Sequence, residues 1–249
     1  MDVTNRYVLE FAKAFARQHP GARILDFGCG AGALVNAGLA AGLPICGADT
    51  FYGGAATRPA GGAVHEIHHG VLPFEDASFA LVVNNQVMEH VEDLDAALRE
   101  IHRVLTPRGI VLSVFPSRDV VREGHIGIPF SHWFRPASRL RFYYTWALRS
   151  VGFGTWKEQA PTARQWAIDK LNWIDLYTRY RTRREIFDTY GRYFTNETRE
   201  LDYIRYRLLD RPGRAWIAAA LRFAPFAFAA RAIFRKLAFF VILSRKAGV

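Results

Sequence analysis

The sequence predicts an α/β protein built on a doubly wound, mostly parallel sheet, with a mainly helical region from about residue 160 onward. Three observations point there. Short apolar runs alternate with helix-period segments through the first half of the chain, which is the pattern of parallel strands joined by helical crossovers. The first apolar run ends in an acidic residue and three glycines at alternate positions, followed at once by a helix-forming segment. Half of the 249 residues are hydrophobic and 14% are aromatic, enough core for one large domain or a domain with an appendage.

The elements follow in order. Val3–Arg17 reads as a helix, because Val8, Phe11, Ala12 and Phe15 recur at helical spacing. Ala22–Phe27 is a short apolar run ending at glycines, as expected of a buried parallel strand. Ala31–Ala41 is rich in Ala and Leu and suits a helix. Pro44–Ala48 is a second short strand, ending at Asp49, and Gly53–Gly62 is a loop. Phe79–Val83 is a strand. Leu94–Leu105 places Leu94, Ala97, Leu98, Ile101, Val104 and Leu105 on one helical face, and Pro107–Gly109 ends it. Ile110–Phe115 is another strand.

After Pro116 the pattern changes. Residues 117–138 form a polar and aromatic loop, Arg139–Ser150 a helix, and Phe153–Gln159 a strand. Residues 161–211 are helical stretches dense in Tyr, Trp and Arg. Pro225 interrupts a basic apolar stretch, and Leu237–Ser244 favours a strand by its length and its aromatic and β-branched content. The expected organisation is a domain over 1–160, a helical, basic region over 161–236, and a last strand with a tail over 237–249.

The glycine turn carries the functional reading. Residues 24–32 read Ile-Leu-Asp-Phe-Gly-Cys-Gly-Ala-Gly. Glycines let the backbone approach a ligand closely and adopt left-handed dihedrals, and the helix behind them presents free N–H groups to an anionic group. Asp49 ends the next strand, placed to accept hydrogen bonds from ribose hydroxyls. Together these make a nucleoside site. Gly28-x-Gly30-x-x-Ala33 also fits the looser dinucleotide pattern, which keeps an NAD-dependent oxidoreductase as a weaker alternative.

The stretch DFGCGAG resembles motif I of class I S-adenosylmethionine (SAM)-dependent methyltransferases. The later stretch LPFEDASFALVVNNQVMEHVEDLDAALREIHRVLTPRGIVLSVFPS is similar to the middle and post-motif segments of that superfamily, so the resemblance covers residues 24–117 in register. It implies a seven-stranded Rossmann-like sheet, SAM as cofactor, and an enzyme that methylates an acceptor. Gly28, Gly30 and Gly32 would form the turn under the methionine part of SAM, with Cys29 in the same turn and Asp26 steadying it. Asp49 would bind the ribose, with Thr50 beside it. His69, Gly70, Val71 and Leu72 lie where the family packs against adenine, and Asn85 and Gln86 would line the methyl-transfer cleft. The chain departs from the family in two places. The acidic residue that the family often carries at about His68, to meet the adenine amino group, is not found at that position, and Ala80 stands where an Asp is common.

Methyl transfer to a hydroxyl needs a general base as well as alignment. His90, after the fourth strand, is one candidate, although Glu89-His90 also suits a capping or packing pair. His125 and His132, in the loop after the fifth strand, are two more, with an aromatic lid as the competing reading. Gln86-x-x-Glu89-His90 resembles the Glu-x-x-Glu-His metal site of some magnesium-dependent relatives. Gln replaces the first Glu, and a neutral amide is a weaker ligand for a hard cation, so no metal is expected.

The formal net charge of +10 is unevenly placed. Residues 1–159 balance at 15 basic and 15 acidic side chains, whereas residues 160–249 carry 18 basic against 8 acidic. From Arg211 onward there are eight basic residues and no acid, interleaved with aromatics. That segment, residues 211–249, is expected to meet an anionic membrane surface. No nucleic-acid partner is expected, because no recognised binding motif accompanies the charge. Cys29 and Cys46 have no CxxC partners, which argues against a disulfide framework or zinc site. The N-terminus has no basic-then-apolar leader, so a cytoplasmic enzyme, peripheral at the inner membrane face, is expected. Its acceptor would be a small molecule, a glycan or a lipid-linked group, methylated at oxygen. The alternative from another class is a non-catalytic SAM-binding or membrane-docking protein.

Overall fold

The computed structural model describes residues 1–51 and 62–246. Helix α1 (Val3–Gln18) begins at Asp2, whose carboxylate accepts from the N–H groups of Thr4 and Asn5 and so satisfies two donors of the first turn. The chain then runs through β1 (Ile24–Phe27), α2 (Ala33–Ala40), β2 (Ile45–Asp49), β3 (Val64–Glu66), β4 (Phe79–Asn85), α3 (Leu94–Val104) and β5 (Leu105–Phe115). Beyond a long loop come α4 (Arg139–Ser150), α5 (Ala163–Tyr177), α6 (Arg183–Tyr190), β6 (Phe194–Thr198), α7 (Glu200–Leu209), α8 (Ala215–Ala220), α9 (Ala224–Leu237) and β7 (Phe240–Lys246).

The seven strands form one sheet in the order β3-β2-β1-β4-β5-β7-β6. The first five pair in parallel, and β7 runs antiparallel to both β5 and β6. Alternate residues of each strand feed opposite layers. On one face Leu25, Val82, Val111 and Ile242 pack with Leu98, Ile101 and Val104 of α3 and with Ile186 and Tyr190 of α6. On the other, Ile24, Leu81, Val83, Leu112, Val241 and Leu243 meet Val8 and Ala12 of α1, Leu34 of α2 and Tyr203 of α7. A smaller cluster joins Ile126 and Ile128 of the post-β5 loop to Trp166, Leu171 and Ile174 of α5.

Several sequence expectations need correction. Phe153–Gln159 is not a strand. Gly152, Gly154 and Trp156 all have positive φ, and Lys157–Gln159 forms a short 3-10 turn; left-handed positions break the extended ladder. The stretch 161–211 is not helical throughout, because β6 lies within it. Its polar alternation, Thr195-Asn196-Glu197-Thr198, left the strand unmarked, and β3 was too short to mark itself. The last strand starts at Phe240, because Leu237 closes α9. Pro225 sits in the first turn of α9, where its missing N–H costs nothing. Strand β5 begins directly after α3, and its register against β4 shifts between Phe79 and Leu81. Arg108 there has φ +64°, and a Cβ on Gly109 would lie 2.9 Å from the Thr106 carbonyl oxygen, so Pro107–Gly109 makes an irregularity within a strand. The loop expected at Gly53–Gly62 falls outside the described residues except for Gly62. Among the described residues no helix is long and apolar enough to cross a membrane.

Candidate active site

The C-terminal ends of β1, β2, β4 and β5 converge on one edge, the side where ligands bind in open parallel sheets. The glycine turn leaves β1 there. The N–H groups of Gly28 and Cys29 both bond to the Ala48 carbonyl, at 2.7 and 3.3 Å, tying the turn to the end of β2. Gly28 has φ +78°, and a Cβ added to it would lie 2.4 Å from Val87 Cγ1, so no other residue fits. Gly30 also has a left-handed φ, but a Cβ there would meet nothing within 4 Å; the space above it is open. Gly32 caps α2 without any side-chain bond to the helix N-terminus, leaving N–H groups for a ligand.

Asp49 organises this cradle. Its carboxylate accepts from the Gly30 N–H at 2.7 Å and the Phe51 N–H at 3.0 Å. Asp26 is 4% exposed, and burial, reinforced by Asp49, pushes its pKa up to about 7. A cationic group arriving beside Asp26 would favour its ionised form. Thr50 is exposed beside Asp49. His68 and Val71 form an isolated bridge that turns the chain at His69 and Gly70, both with positive φ. Leu72 is buried there, its N–H held by Glu100 at 3.0 Å. At the end of β4 the Asn85 amide donates to Asn5 Oδ1 at 2.9 Å, while its own Oδ1 is buried without a partner. Gln86 has φ +57° and an exposed side chain. Open space over Gly30, an uncapped α2, an ionisable Asp26 and an orphaned Asn85 oxygen suit an amino-acid-bearing nucleoside with a cationic end.

The three histidines gather beside this edge, but not equivalently. His90 and His125 stack edge-to-face at 5.1 Å between ring centroids, and both lie against Trp173. His90 Nδ1 lies 2.7 Å from the Tyr177 carbonyl; a carbonyl only accepts, so Nδ1 carries the proton and Nε2 keeps its lone pair. Burial holds the His90 pKa below the usual histidine range. His125 Nδ1 donates to Glu123 at 2.8 Å. Glu123 is fully buried. Burial would raise its pKa, but hydrogen bonds from His125, the Tyr180 hydroxyl and the Ile126 N–H hold it below the usual range. Burial in turn would lower His125, yet Glu123 holds its pKa above that of an ordinary histidine. His132 is 6% exposed and packs against Tyr180, with Nε2 donating to the Arg118 carbonyl at 3.1 Å. It braces the loop.

Sequence reasoning missed two members of this cluster, Glu123 and Tyr180. Tyr180 comes from the segment after α5, and no spacing announced it. Glu89 enters the sequence reading as a packing neighbour of His90 and within the Gln86-x-x-Glu89-His90 stretch that resembles a metal site. Both of its carboxylate oxygens are buried without a hydrogen-bond partner, and burial pushes its pKa up to about 8. Ligand atoms of Glu89, His90 and His125 lie within 4.8 Å of one another. That donor set, one carboxylate and two imidazoles, could hold a transition metal.

Residues 2–178 match a family described as a methyltransferase domain. The chain belongs to the class I SAM-dependent methyltransferases. Its cofactor is SAM. It is 30% identical over 107 residues to the ubiquinone biosynthesis O-methyltransferase of Chelativorans sp. (strain BNC1), a match over 39% of this chain and 41% of that protein. It is 33% identical over 113 residues to the malonyl-[acyl-carrier protein] O-methyltransferase of Erwinia billingiae (strain Eb661), over 44% of this chain and 45% of the relative. The chain thus spans less than half the length of these curated relatives. The crystal structure of a SAM-dependent methyltransferase from Mesorhizobium loti shares the fold, with a TM-score of 0.52 and 18% identity over 96% of this chain and 100% of that one.

In this methyltransferase, Asp49→Ala is expected to weaken SAM binding by about 1.5–3 kcal/mol, the range for losing a charge-assisted hydrogen bond. The substitution also frees the Gly30 N–H. Titration calorimetry decides it, and equal affinity in both proteins would show that Asp49 neither shapes the turn nor reaches the ribose.

Proposed function

We propose that the protein transfers the SAM methyl group to an oxygen of its acceptor, with His125 as general base. The observation that carries this reading is the His125–Glu123 pair, whose free Nε2 lies beside His90 and Glu89 at the cofactor edge. SAM supplies an electrophilic methyl group. His125 Nε2 takes the proton from the acceptor hydroxyl, and the buried Glu123 carboxylate stabilises the imidazolium that results. His90, neutral and with its own Nε2 unprotonated, accepts a hydrogen bond from the same hydroxyl or from a second one. Trp173 packs against His125 and Tyr177 on one side of the cluster. Both curated relatives are named O-methyltransferases, which supports oxygen as the acceptor atom.

A second reading is favoured by the orphaned Glu89. A divalent transition metal held by Glu89, His90 and His125 would give both carboxylate oxygens a partner. Against it, a Glu89 pKa of about 8 keeps the carboxyl protonated at neutral pH, so a cation must displace that proton. Activity is therefore expected to survive chelation. An assay in chelator, then with added manganese or zinc, decides the matter: loss restored by metal establishes the second reading.

We infer further that the C-terminal region rests on an anionic membrane surface. Helix α9 buries none of its residues, and Trp216 of α8 with Phe226, Phe228 and Ile233 of α9 stand more than half exposed among arginines. Such a face loses apolar area to a lipid interface while each nearby Arg or Lys contributes about 1 kcal/mol against an anionic leaflet. Co-sedimentation with anionic vesicles is expected at low salt and is weakened at high salt. Equal, negligible binding to neutral and anionic vesicles overturns it.

A further inference from the structure

A cavity of about 370 Å³ lies between α9 and the loop that follows β5. It opens at the cofactor edge of the sheet, because Phe240 in its wall pairs with Phe115 at the end of β5. Its charged lining is one-sided: Arg183, Arg231, Arg235 and Lys236 against the single carboxylate of Asp119. The balance stays positive after local pairing is counted. Arg235 is matched by the buried Glu200 at 2.7 Å and bonds Thr198. Asp119 accepts the Arg183 N–H at 2.8 Å. Among the described residues, no carboxylate lies within salt-bridge distance of the Arg183, Arg231 or Lys236 side chains. Arg231 Nε is buried with no hydrogen-bond partner. The Arg183 guanidinium lies over the rings of Phe187 and Phe240, at 5.3 and 5.4 Å, contacts that hold it at the cavity wall.

Cations gathered without counter-charges repel one another unless an anion joins them, and guanidinium groups match a phosphate's oxygens in pairs. Burial, and then the nearby Arg235, lower the Arg183 pKa, while Glu200 and Asp119 act in the opposite sense. The same α9 that supplies Arg231, Arg235 and Lys236 exposes Phe228 at the cavity rim and Phe226 and Ile233 outside it. A charged head and an apolar tail therefore have adjoining surfaces. The loop that brings Asp119 to the cavity continues to Glu123 and His125, and its Val121 N–H is tied to the Lys236 carbonyl at 2.7 Å.

We propose that this cavity is a binding subsite for the phosphate of an amphiphile, with Arg183, Arg231 and Lys236 taking the phosphate oxygens and the exposed aromatic face of α9 taking the tail. The subsite goes beyond the methyl-transfer reading and stands without it.

The test is calorimetric titration of the SAM-loaded protein with three soluble probes below their micelle concentrations: dioctanoyl phosphatidic acid, dioctanoylglycerol and inorganic phosphate. Arg231→Gln/Lys236→Gln removes two cavity cations. Arg214→Gln/Arg222→Gln removes the same charge from outside it. Phosphatidic acid is expected to bind, to lose at least tenfold in affinity in the first variant, and to change less than twofold in the second. Dioctanoylglycerol is expected not to bind, and inorganic phosphate to bind more weakly with the same dependence on the cavity pair. Equal losses in both variants, or equal binding of phosphatidic acid and dioctanoylglycerol, overturn the subsite. Inorganic phosphate binding as tightly as phosphatidic acid overturns the role of the tail. SAM titration of each variant confirms the fold and keeps a failure here separate from a failure of the cofactor site.

Discussion

A chain ending at Lys236 is expected to be insoluble and to bind no SAM. Strand β7 is the reason. It lies inside the sheet, hydrogen-bonded to β5 on one side and β6 on the other, so its removal strips two ladders. Phe240, Val241, Ile242 and Leu243 are all buried, feeding both core layers. At about 1.5–3 kcal/mol for each buried apolar side chain, their loss alone approaches the 5–15 kcal/mol that holds a typical domain folded. Two further anchors go as well, since Lys246 Nζ donates to the His102 and Leu105 carbonyls at 2.6 and 2.7 Å. Circular dichroism and gel filtration of the truncated chain check this. A folded monomer that keeps SAM affinity would show that β7 is dispensable to the core.

His125→Ala is expected to lower kcat by about 10²–10⁴-fold, the usual contribution of a general base, while SAM binding stays intact. Glu123→Gln separates base chemistry from packing. The amide fills the same space and its oxygen still accepts from Tyr180, with only the Ile126 N–H losing its acceptor, but it no longer stabilises the imidazolium. Activity requires unprotonated His125, so the rate falls as pH drops through the His125 pKa. Glu123 holds that pKa above the ordinary histidine value. Removing the carboxylate therefore moves the acid limb of the pH–rate profile to lower pH, and kcat falls more than KM changes. A profile that does not move in Glu123→Gln, or a wild-type kcat in His125→Ala, removes His125 from the chemistry. His132→Ala, by contrast, is expected to act on stability, since that ring is braced by the Arg118 carbonyl and Tyr180.

The cofactor half of the molecule was legible because its chemistry is local. The turn at Gly28, Gly30 and Gly32 and the acid at Asp49 are forced by backbone dihedrals and close approach within a short stretch of chain, and such demands leave residue types that can be read directly. Of the parallel strands, β1, β2, β4 and β5 announced themselves as apolar runs because both faces of the sheet are covered there, whereas the three-residue β3 did not. Strand β6 did not, because it is an edge strand with polar side chains. The strand expected at Phe153–Gln159 failed because Gly152, Gly154 and Trp156 take left-handed conformations there. The acceptor half was legible only in part. His90, His125 and the Gln86-x-x-Glu89-His90 stretch could be singled out, but Glu123 and Tyr180 became partners of His125 through tertiary packing between the post-β5 loop and the segment after α5, and no local rule encodes that meeting. The Glu123-Gly124-His125 spacing was the one available signal.

The antiparallel position of β7 also orders events in time. Strands β1 to β5 pair with one another using only the first half of the chain, so the cofactor cradle can assemble from contacts close in sequence. Strand β6 has β7 as its sole neighbour in the sheet and must wait for it, because β5 offers its free edge to β7 alone. The pairing of Phe115 with Phe240 closes a very long loop, and such closures are slow steps in folding. Strand β7 is thus expected to dock after β1 to β5 have paired, and until it docks, the edge of β5 is open to pairing with other chains.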